Sequence, residues 1–242
     1  MHRNCKTAVI MAAGMGTRFG QYTEKIPKGF VECGGISMVE RSIQTLIACG
    51  IERIIIGTGY HKERYEALRD IYPQIECVFS PRYAETNSMY TLYNCREVVG
   101  DDDFLLLESD LVFEKKAITS LLECPEPDVM LITPVTKFQD QYYVEYDADH
   151  RLTRCSTVET ELDAKGELVG IHKLSGSFYR LMCEDYAKKV DAQPKLGYEY
   201  QLLLMSQSIR KVYVLKVDGL YWYEIDDPED LAYAEKKVLS HL

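Results

Sequence analysis

The chain has 242 residues, of which 46% are hydrophobic and 27% charged, and its formal net charge is −10. It is long enough for one large α/β domain, and its composition excludes the disordered and fibrous classes. The negative charge argues against nucleic acid as a partner, because phosphate backbones bind basic surfaces. Small anionic substrates stay compatible with it, since they need only a local positive site.

The sequence does not indicate a membrane or secreted protein. No apolar run approaches the ~20 residues that a membrane-spanning helix requires. Residues 1–6 lead into a strand without the apolar region of a signal peptide. The eight cysteines are evenly spread without a C-x-x-C pair, which is typical of small buried side chains in a reducing compartment. We therefore expect a cytoplasmic protein.

A glycine-rich stretch follows the first predicted strand, Thr7–Ala12, which is apolar and β-branched like a buried parallel strand. The stretch is Ala12-Ala13-Gly14-Met15-Gly16-Thr17-Arg18, and Pro27-Lys28 follows it. Glycines let backbone N–H groups approach an anion closely, and the Thr17 hydroxyl and two cations add further donors. These features predict a phosphate-binding loop.

Two common glycine motifs do not fit this stretch. A dinucleotide-binding loop would have its third glycine at Phe19. A Walker loop would have Gly-Lys followed by Ser or Thr at the positions of Phe19-Gly20-Gln21.

The next segments predict a β-α-β unit and its continuation. Met38–Cys49 has one apolar helical face, and Arg53–Gly57 is a second buried strand. His61–Ile71 is predicted as a charged surface helix and Ile75–Ser80 as a third strand. The alternation predicts an α/β fold with a Rossmann-like, mostly parallel sheet flanked by helices.

Asn87 and Ser88 stand at the front of a helix predicted over residues 88–98. Residues of this type usually cap a helix, because their side-chain oxygens accept backbone N–H groups. Contact with the base of a bound nucleotide is the alternative role, and both roles can hold at once.

Acidic residues end the fourth predicted strand, Phe104–Leu107, where the sequence continues Glu108-Ser109-Asp110. In open α/β sheets, ligands bind beyond the carboxyl ends of the strands. If strands one and four are neighbours, Asp110 faces the glycine-rich stretch. An acid opposite a phosphate site needs a cation between them, which suggests Mg²⁺.

The alternation changes after a fifth strand over Asp128–Thr133. Tyr142–Tyr146 and Arg151–Cys155 flank a turn and predict a small antiparallel hairpin. Residues 156–166 are too polar for a core, so we expect a loop or lid over the site. We assign the whole chain to one domain in which about 134–175 form the hairpin and lid insertion.

The following segments predict a strand over Leu168–Leu174, a helix from Ser175 to about residue 190, and a helix that opens at Tyr198. His172, alone within a strand, is interpreted as a structural histidine. Tyr198-Glu199-Tyr200 places rings beside one acid, a pattern that is usually core and in some proteins binds a cation.

The start of the predicted C-terminal helix gives two adjacent acids different roles. Asp227 is predicted as its N-cap, because Pro228 follows at the first helical position. Asp226 has no such structural role. It is therefore the candidate second metal carboxylate, with Glu224 in reserve.

Four features occur in a fixed order along the chain: A-A-G-x-G-T-R, then P-K, then an acid after strand four, and E-I-D before the last helix. This order resembles that of nucleotidyltransferases that activate sugar phosphates and alcohol phosphates. The order and the length of the chain are similar to those of the compact cytidylyltransferases for phosphocholine or 2-aminoethylphosphonate. Two segments resemble the phosphonate enzymes more than the phosphocholine enzymes: F-L-L-L-E-S-D-L at 104–111 and G-E-L-V-G-I-H-K-L at 166–174. Two departures are the missing Pro-Leu after Arg18 and Glu108 in place of the first acid of D-x-D.

This resemblance implies roles for the matching residues. Arg18 and Lys28 would be catalytic and bind phosphates, and Asp110 and Asp226 would hold Mg²⁺. The implied reaction is in-line attack of a phosphonate or phosphate oxygen on the α-phosphorus of CTP, with pyrophosphate leaving. The residues expected to bind the nucleotide are Ala12, Ala13, Gly14, Gly16, Thr17, Asn87 and Ser88.

The sequence does not decide which compound is the acceptor. A cationic head group would bind Glu199 with Tyr198, Tyr200 or Trp222, and a hydroxyalkylphosphonate would hydrogen-bond in the same pocket. Phosphocholine and sugar 1-phosphates are alternative acceptors. A catalytically silent nucleotide-binding regulator is the alternative of another class. The choice of CTP over UTP rests on the resemblance, and a homodimer is a possible assembly.

Overall fold

The computed structural model describes residues 5–136 and 141–242. The interpretation of the chain start rests partly on residues 1–4, and the predicted insertion includes 137–140; both segments lie outside the described residues. The strands are β1 (Thr7–Ala12), β2 (Glu32–Cys33), β3 (Ile36–Ser37), β4 (Arg53–Thr58), β5 (Ile75–Phe79), β6 (Phe104–Glu108), β7 (Leu111–Phe113), β8 (Val129–Thr133), β9 (Tyr143–Tyr146), β10 (Leu152–Ser156), β11 (Gly166–Leu174), β12 (Tyr213–Lys216) and β13 (Trp222–Glu224). The helices are α1 (Met38–Ala48), α2 (Lys62–Ala67), α3 (Ser88–Asn94), α4 (Arg96–Val99), α5 (Lys116–Glu123), α6 (Gly176–Ala187), α7 (Tyr198–Ser208) and α8 (Pro228–Lys237).

The described strands form a central sheet of nine strands with the order β10-β9-β11-β6-β1-β4-β5, and β8 pairs with β11 and β12. β1 lies between β4 and β6 and is parallel to both. The ends of β1 and β6 therefore meet at one edge of the sheet, as the prediction for Asp110 requires. The predicted α/β fold, with a mostly parallel sheet flanked by helices and a small antiparallel hairpin, is confirmed.

The predicted hairpin is the antiparallel pair β9–β10, in which Val144 lies opposite Cys155. It extends the central sheet, because β9 also pairs with β11. β11 runs antiparallel to both β6 and β8. The hairpin strands are therefore part of the same sheet that carries β1.

β7 and β13 are short strands that the sequence pattern does not predict. They pair antiparallel, with Leu111 opposite Glu224 and Phe113 opposite Trp222. Each has three residues, which are too few for a period-two pattern to stand out. This pairing fastens the segment before α8 to the segment after β6.

Two predicted helices are shorter than expected. The helix expected from His61 begins at Lys62, because His61 has φ 51° and lies in the left-handed region. The helix expected over residues 88–98 is divided into α3 and α4. The division lies at Cys95, whose N–H donates to Leu92 O in a tighter i→i−3 bond.

The core lies on both faces of the sheet. In β1, Val9 and Met11 pack into the apolar cluster of one face, while Ala8 and Ile10 pack into that of the other. A strand buried on both faces needs apolar residues at successive positions, which explains the continuous run in the sequence. Among residues 5–136 and 141–242, no helix combines the length and apolar character needed to cross a membrane.

Candidate active site

The glycine-rich loop folds back against the segment that carries Lys28. Gly16 has φ 61°, and a Cβ there would lie 2.9 Å from Lys28 Cβ. The Thr23 hydroxyl donates to Gly16 O at 2.8 Å. Around Gly14, by contrast, a Cβ would meet nothing within 4 Å. Gly16 thus closes the loop, and Gly14 leaves its backbone accessible.

The structure brings the predicted catalytic cations and metal carboxylates together. Lys28 Nζ lies 2.5 Å from Asp110 Oδ2 and also contacts Asp226 Oδ1. Arg18 Nη2 lies 2.7 Å from the same Asp226 oxygen. The Asp226 side chain is 4% exposed, and that of Arg18 is 53% exposed. Lys28 is therefore a fixed cation between two acids, while Arg18 reaches in from the surface.

The β7–β13 pair explains why residues so far apart in sequence meet. The Ile225 N–H donates to Asp110 O at 3.0 Å, which continues the pairing by one residue. Asp227 accepts from the Glu229 and Asp230 N–H groups and caps α8 as predicted. Asp226 is left to point at Lys28.

The two carboxylates control the charge of Lys28. Burial by itself would lower the pKa of this lysine, but Asp110 and Asp226 outweigh it and raise the pKa above its usual value. Lys28 is therefore protonated at neutral pH and is available to bind a phosphate oxygen.

An acidic cluster could hold a metal ion at the same edge of the sheet. It comprises Glu108, Asp110 and Glu224, whose ligand oxygens lie within 4.8 Å of one another. Carboxylate oxygens are the ligands that Mg²⁺ and Ca²⁺ prefer, so the donor set fits a hard divalent cation. Asp226 lies outside this cluster, but its Oδ2 is buried without a hydrogen-bond partner among the described residues. The reserve residue Glu224 is thus part of the cluster, beside Asp110.

Two adjoining cavities meet at this edge. The glycine-loop cavity has a volume of about 200 Å³, and its lining includes Ala13, Gly14, Gly16, Lys28, Tyr65 and Asp110. The acidic cavity has a volume of about 250 Å³, and its lining includes Arg18, Tyr142, Glu167, Glu199, Trp222 and Glu224. Three residues line both cavities: Asn87, Ser88 and Glu108. Two of the predicted nucleotide-binding residues are not in either lining: Ala12 is buried in β1, and Thr17 is exposed.

Asn87 and Ser88 carry out structural roles at the boundary between the cavities. The Asn87 side chain accepts the Ser88 N–H at 2.8 Å and is the N-cap of α3. The Ser88 hydroxyl accepts the Tyr198 N–H at 3.0 Å. Both residues therefore fix the start of a helix and also face the space where a ligand would lie.

The three predicted acceptor-binding residues have different surroundings. Tyr198 is fully buried, and its hydroxyl donates to Glu108 Oε1 at 2.6 Å. Glu199 is 6% exposed, and its Oε2 has no hydrogen-bond partner among the described residues. Burial raises the pKa of Glu199 to about 7. Trp222 is half-buried and donates its indole N–H to Thr133 Oγ1 at 3.1 Å.

Sequence reasoning missed several residues of the acidic cavity, among them Glu108, Glu167 and Tyr142. Glu167 is fully buried in β11 and accepts from the Thr136 hydroxyl at 2.5 Å and from the Thr136 N–H at 3.0 Å. Tyr142 precedes β9 and stacks edge-on against Tyr200. A charged residue inside an apolar strand was the available signal for Glu167, whereas nothing in the local sequence distinguishes Tyr142.

The sequence profile of the MobA-like NTP transferase domain matches residues 8–176, well over half of the chain. The chain belongs to this family. The predicted resemblance to nucleotidyltransferases is confirmed, and the cluster of cations and acids described above is the candidate active site of a nucleotidyltransferase.

Three curated relatives are similar to this nucleotidyltransferase. The 2-aminoethylphosphonate cytidylyltransferase of Lancefieldella rimae is 35% identical over 111 residues, which are 46% of this chain and 45% of that protein. The choline-phosphate cytidylyltransferase of Streptococcus pneumoniae is 28% identical over 95% of this chain and 96% of its own length. The CMP-5'-(3-aminopropyl)phosphonate synthase of Streptomyces rubellomurinus is 26% identical over 94% of this chain and 38% of its length. The matches thus span less than half of two relatives and nearly all of the other.

Solved structures share the fold of this nucleotidyltransferase. The CTP:phosphocholine cytidylyltransferase from Streptococcus pneumoniae superimposes with a TM-score of 0.77 at 24% identity, covering 96% of this chain and 98% of that one. The inositol-1-phosphate CTP transferase from T. maritima gives a TM-score of 0.82 at 18% identity, covering 100% and 99%. At these identities the likeness concerns the fold.

Proposed function

We propose that this nucleotidyltransferase transfers CMP from CTP to a small phosphonate or phosphomonoester that carries a cationic group, with release of pyrophosphate. The observation that carries the proposal is the position of Lys28, which is held between Asp110 and Asp226 and lines the glycine-loop cavity, a cavity that shares Glu108 with the acidic cavity. The choice of CTP is supported by relatives named as cytidylyltransferases. In this proposal the glycine-loop cavity takes CTP and the acidic cavity takes the acceptor.

The charge of the acidic cavity supports a cationic acceptor. Among the described residues, its lining carries four glutamates, of which Glu108 and Glu224 belong to the acidic cluster, and one arginine, together with three aromatic residues. Carboxylates attract an ammonium group, and aromatic rings stabilise it further through cation–π contacts. A hydroxyalkylphosphonate, whose hydroxyl end is uncharged, would gain nothing from this charge. We therefore place 2-aminoethylphosphonate first and phosphocholine second among the acceptors.

The proposed reaction needs no nucleophile from the protein. An oxygen of the acceptor phosphonate attacks the α-phosphorus of CTP, one P–O bond forms, and the bond to the β-phosphate bridging oxygen breaks as pyrophosphate leaves. Lys28 binds an α-phosphate or acceptor oxygen, and Arg18 binds the leaving pyrophosphate. Positioning and charge neutralisation supply most of the rate enhancement in phosphoryl transfers of this type.

We also propose that Mg²⁺ is the cofactor, because the carboxylate oxygens at the site fit it. Asp110 is the central ligand, since it belongs both to the predicted pair with Asp226 and to the cluster with Glu108 and Glu224. The Oδ2 of Asp226, which is buried and has no hydrogen-bond partner among the described residues, is a further oxygen donor. When bound, the ion neutralises negative charge that develops on the phosphate oxygens.

We further propose that the chain is one domain, in which about 134–175 is a hairpin and lid insertion. Its support is that nine of the described strands, with β1 and β12 among them, share one sheet and that the hairpin strands lie at its end. Residues of this segment, among them Thr136, Tyr142 and Glu167, line the acidic cavity. The insertion would therefore shape the acceptor site.

The test is pyrophosphate release with Mg²⁺ and each of several nucleoside triphosphates. The acceptors are 2-aminoethylphosphonate, phosphocholine, 2-hydroxyethylphosphonate and glucose 1-phosphate. We expect the highest kcat/KM with CTP and 2-aminoethylphosphonate. Preference for glucose 1-phosphate would replace this proposal with a sugar-phosphate nucleotidyltransferase. CTP binding without turnover of any acceptor would contradict it and favour the regulator.

A further inference from the structure

Glu108 occupies the boundary between the two cavities. Of the three residues that line both, it is the one with an ionisable side chain. It also belongs to the acidic cluster with Asp110 and Glu224. An acid at this position lies where the acceptor and the nucleotide would meet, so the orientation of its carboxylate bears directly on the reaction.

The Glu108 carboxylate is held by a tyrosine from another part of the chain. The Tyr198 hydroxyl donates to Glu108 Oε1 at 2.6 Å, and Tyr198 itself is fully buried at the start of α7. Its backbone N–H is fixed by the Ser88 hydroxyl. Tyr198 thus holds the Glu108 carboxylate in one fixed orientation.

A buried histidine completes the chain of hydrogen bonds. His172 Nε2 lies 3.2 Å from the Tyr198 oxygen, and its Nδ1 has no hydrogen-bond partner among the described residues. Burial lowers the pKa of His172 to about 3, so the ring is neutral and carries one N–H. Because the tyrosine hydrogen is directed at Glu108, the histidine N–H belongs on Nε2 and donates to the tyrosine. The order is His172 to Tyr198 to Glu108.

The backbone opposite Glu108 leaves space for this carboxylate. Gly170 in β11 has φ 77°, and a Cβ there would lie 3.1 Å from Glu108 Oε2. The pairing of β11 with β8 shifts register between Leu168 and His172, next to this glycine. The side chain of Glu108 is longer than that of an aspartate. Gly170 leaves room for it on one side, and Tyr198 orients it on the other.

We propose that Tyr198, supported by His172, is a positioning residue that holds Glu108 as a third oxygen ligand, beside Asp110 and Glu224, for the divalent cation. The inference rests on the proposed function in taking the cation of the transfer reaction as the occupant. Residues that hydrogen-bond a metal ligand without contacting the metal commonly control the orientation of that ligand and the affinity of the site. Tyr198 then contributes to cation binding through its hydroxyl.

The experiment uses Mn²⁺ as a spectroscopic probe of the cation site. Mn²⁺ is titrated into the full chain, without and with CTP, and the free ion is followed by electron paramagnetic resonance. Tyr198→Phe keeps the ring and removes only the hydroxyl. We expect it to weaken Mn²⁺ binding roughly 10- to 100-fold. The Mg²⁺ concentration for half-maximal rate rises in parallel.

Tyr179→Phe is the matched control. Tyr179 is also a buried tyrosine, but its hydroxyl donates to the backbone O of Leu92, and neither cavity includes it. Mn²⁺ affinity equal to wild type in this variant supports the proposal. An equal loss in both tyrosine variants would overturn it, because the effect would then be general destabilisation.

Further outcomes keep the inference separate from the proposed function. If Tyr198→Phe does not fold, Glu108→Gln is titrated in its place, and wild-type Mn²⁺ affinity in whichever variant is measured overturns the inference. Absence of Mn²⁺ binding by the wild type, with and without CTP, also overturns it. A chain that shows the Mn²⁺ difference but releases no pyrophosphate refutes the proposed function alone.

Discussion

Replacing Lys28 by methionine tests the centre of the site, because the change keeps most of the apolar part of the side chain and removes the ammonium group. Lys28 is 13% exposed, and its ammonium group contacts carboxylates that are 17% and 4% exposed, those of Asp110 and Asp226. In Lys28→Met the two acids lose their common cation. Arg18 still pairs with Asp226, but it is 53% exposed and compensates weakly.

The expected loss of stability follows from these burials. Removing one partner of a buried ion pair costs about 3–5 kcal/mol, because the remaining charge is left without compensation. Arg18 and partial hydration of Asp110 place the expected cost near the lower end, about 3 kcal/mol. For a chain of this length, that cost lowers the Tm by roughly 6–12 °C.

The expected loss of rate is separate from the loss of stability. Lys28 supplies one fixed positive group to the transferred phosphate, and removing a group of this kind lowers kcat about 100- to 1,000-fold. Because the folded chain raises the pKa of Lys28, its stabilising effect is fully present below the ordinary lysine pKa and is lost only above it. The stability difference should therefore be equal at about pH 7 and about pH 9.

Urea unfolding and pyrophosphate release measure the two effects on the same preparations. Lys25→Met is the matched control, because Lys25 is exposed and lines neither cavity. Wild-type stability in Lys28→Met would refute the interpretation of its ion pairs. The expected destabilisation with a wild-type rate would show that Lys28 only holds the fold.

Three further predictions concern the neighbouring residues. Glu199→Gln should raise the KM of an aminoalkyl acceptor roughly 10- to 100-fold and leave the KM of CTP unchanged, because a charged hydrogen bond to the ammonium is lost. In the wild type, the pKa of Glu199 is raised to about 7, so the acceptor KM should fall as the pH rises through that value and the carboxylate ionises. Asp226→Asn should lower kcat about 100-fold, whereas Asp227→Ala should cost about 1 kcal/mol of stability through loss of the helix cap and leave kcat unchanged. Gly16→Ala should cost about 1–2 kcal/mol and raise the KM of CTP, because Gly16 has φ 61° and a Cβ there would press against Lys28.

Each of these predictions has a control and a contrary result. A fall of the acceptor KM with pH that persists in Glu199→Gln would assign the dependence to titration of the acceptor. Equal kcat losses in the Asp226 and Asp227 variants would mean that the capping assignment does not separate the two acids. Gly35→Ala shares the positive φ but meets nothing within 4 Å. An equal rise in the KM of CTP in Gly35→Ala would contradict the role of the Gly16 contact.

Local patterns were sufficient for the elements whose residues are adjacent in sequence. The apolar run Thr7–Ala12 is β1 residue for residue, because a strand covered on both faces needs apolar side chains throughout. Asp227 with Pro228 predicted the start of α8, because capping is decided within one helical turn. The same reasoning left Asp226 as a candidate ligand, and the structure places it on Lys28.

The sequence alone thus determined most strands of the central sheet, the glycine-rich loop and most of the charged residues beside it, since each depends on interactions over a few residues. Only the tertiary structure decided which of the acids lie together, because the β7–β13 pair joins short segments about a hundred residues apart. It also decided that Tyr198 is directed at Glu108 and that Glu199 is buried with an oxygen that has no hydrogen-bond partner in the described part of the chain. Those properties depend on how β11 and α7 pack against β6, and no local pattern of the chain encodes that packing.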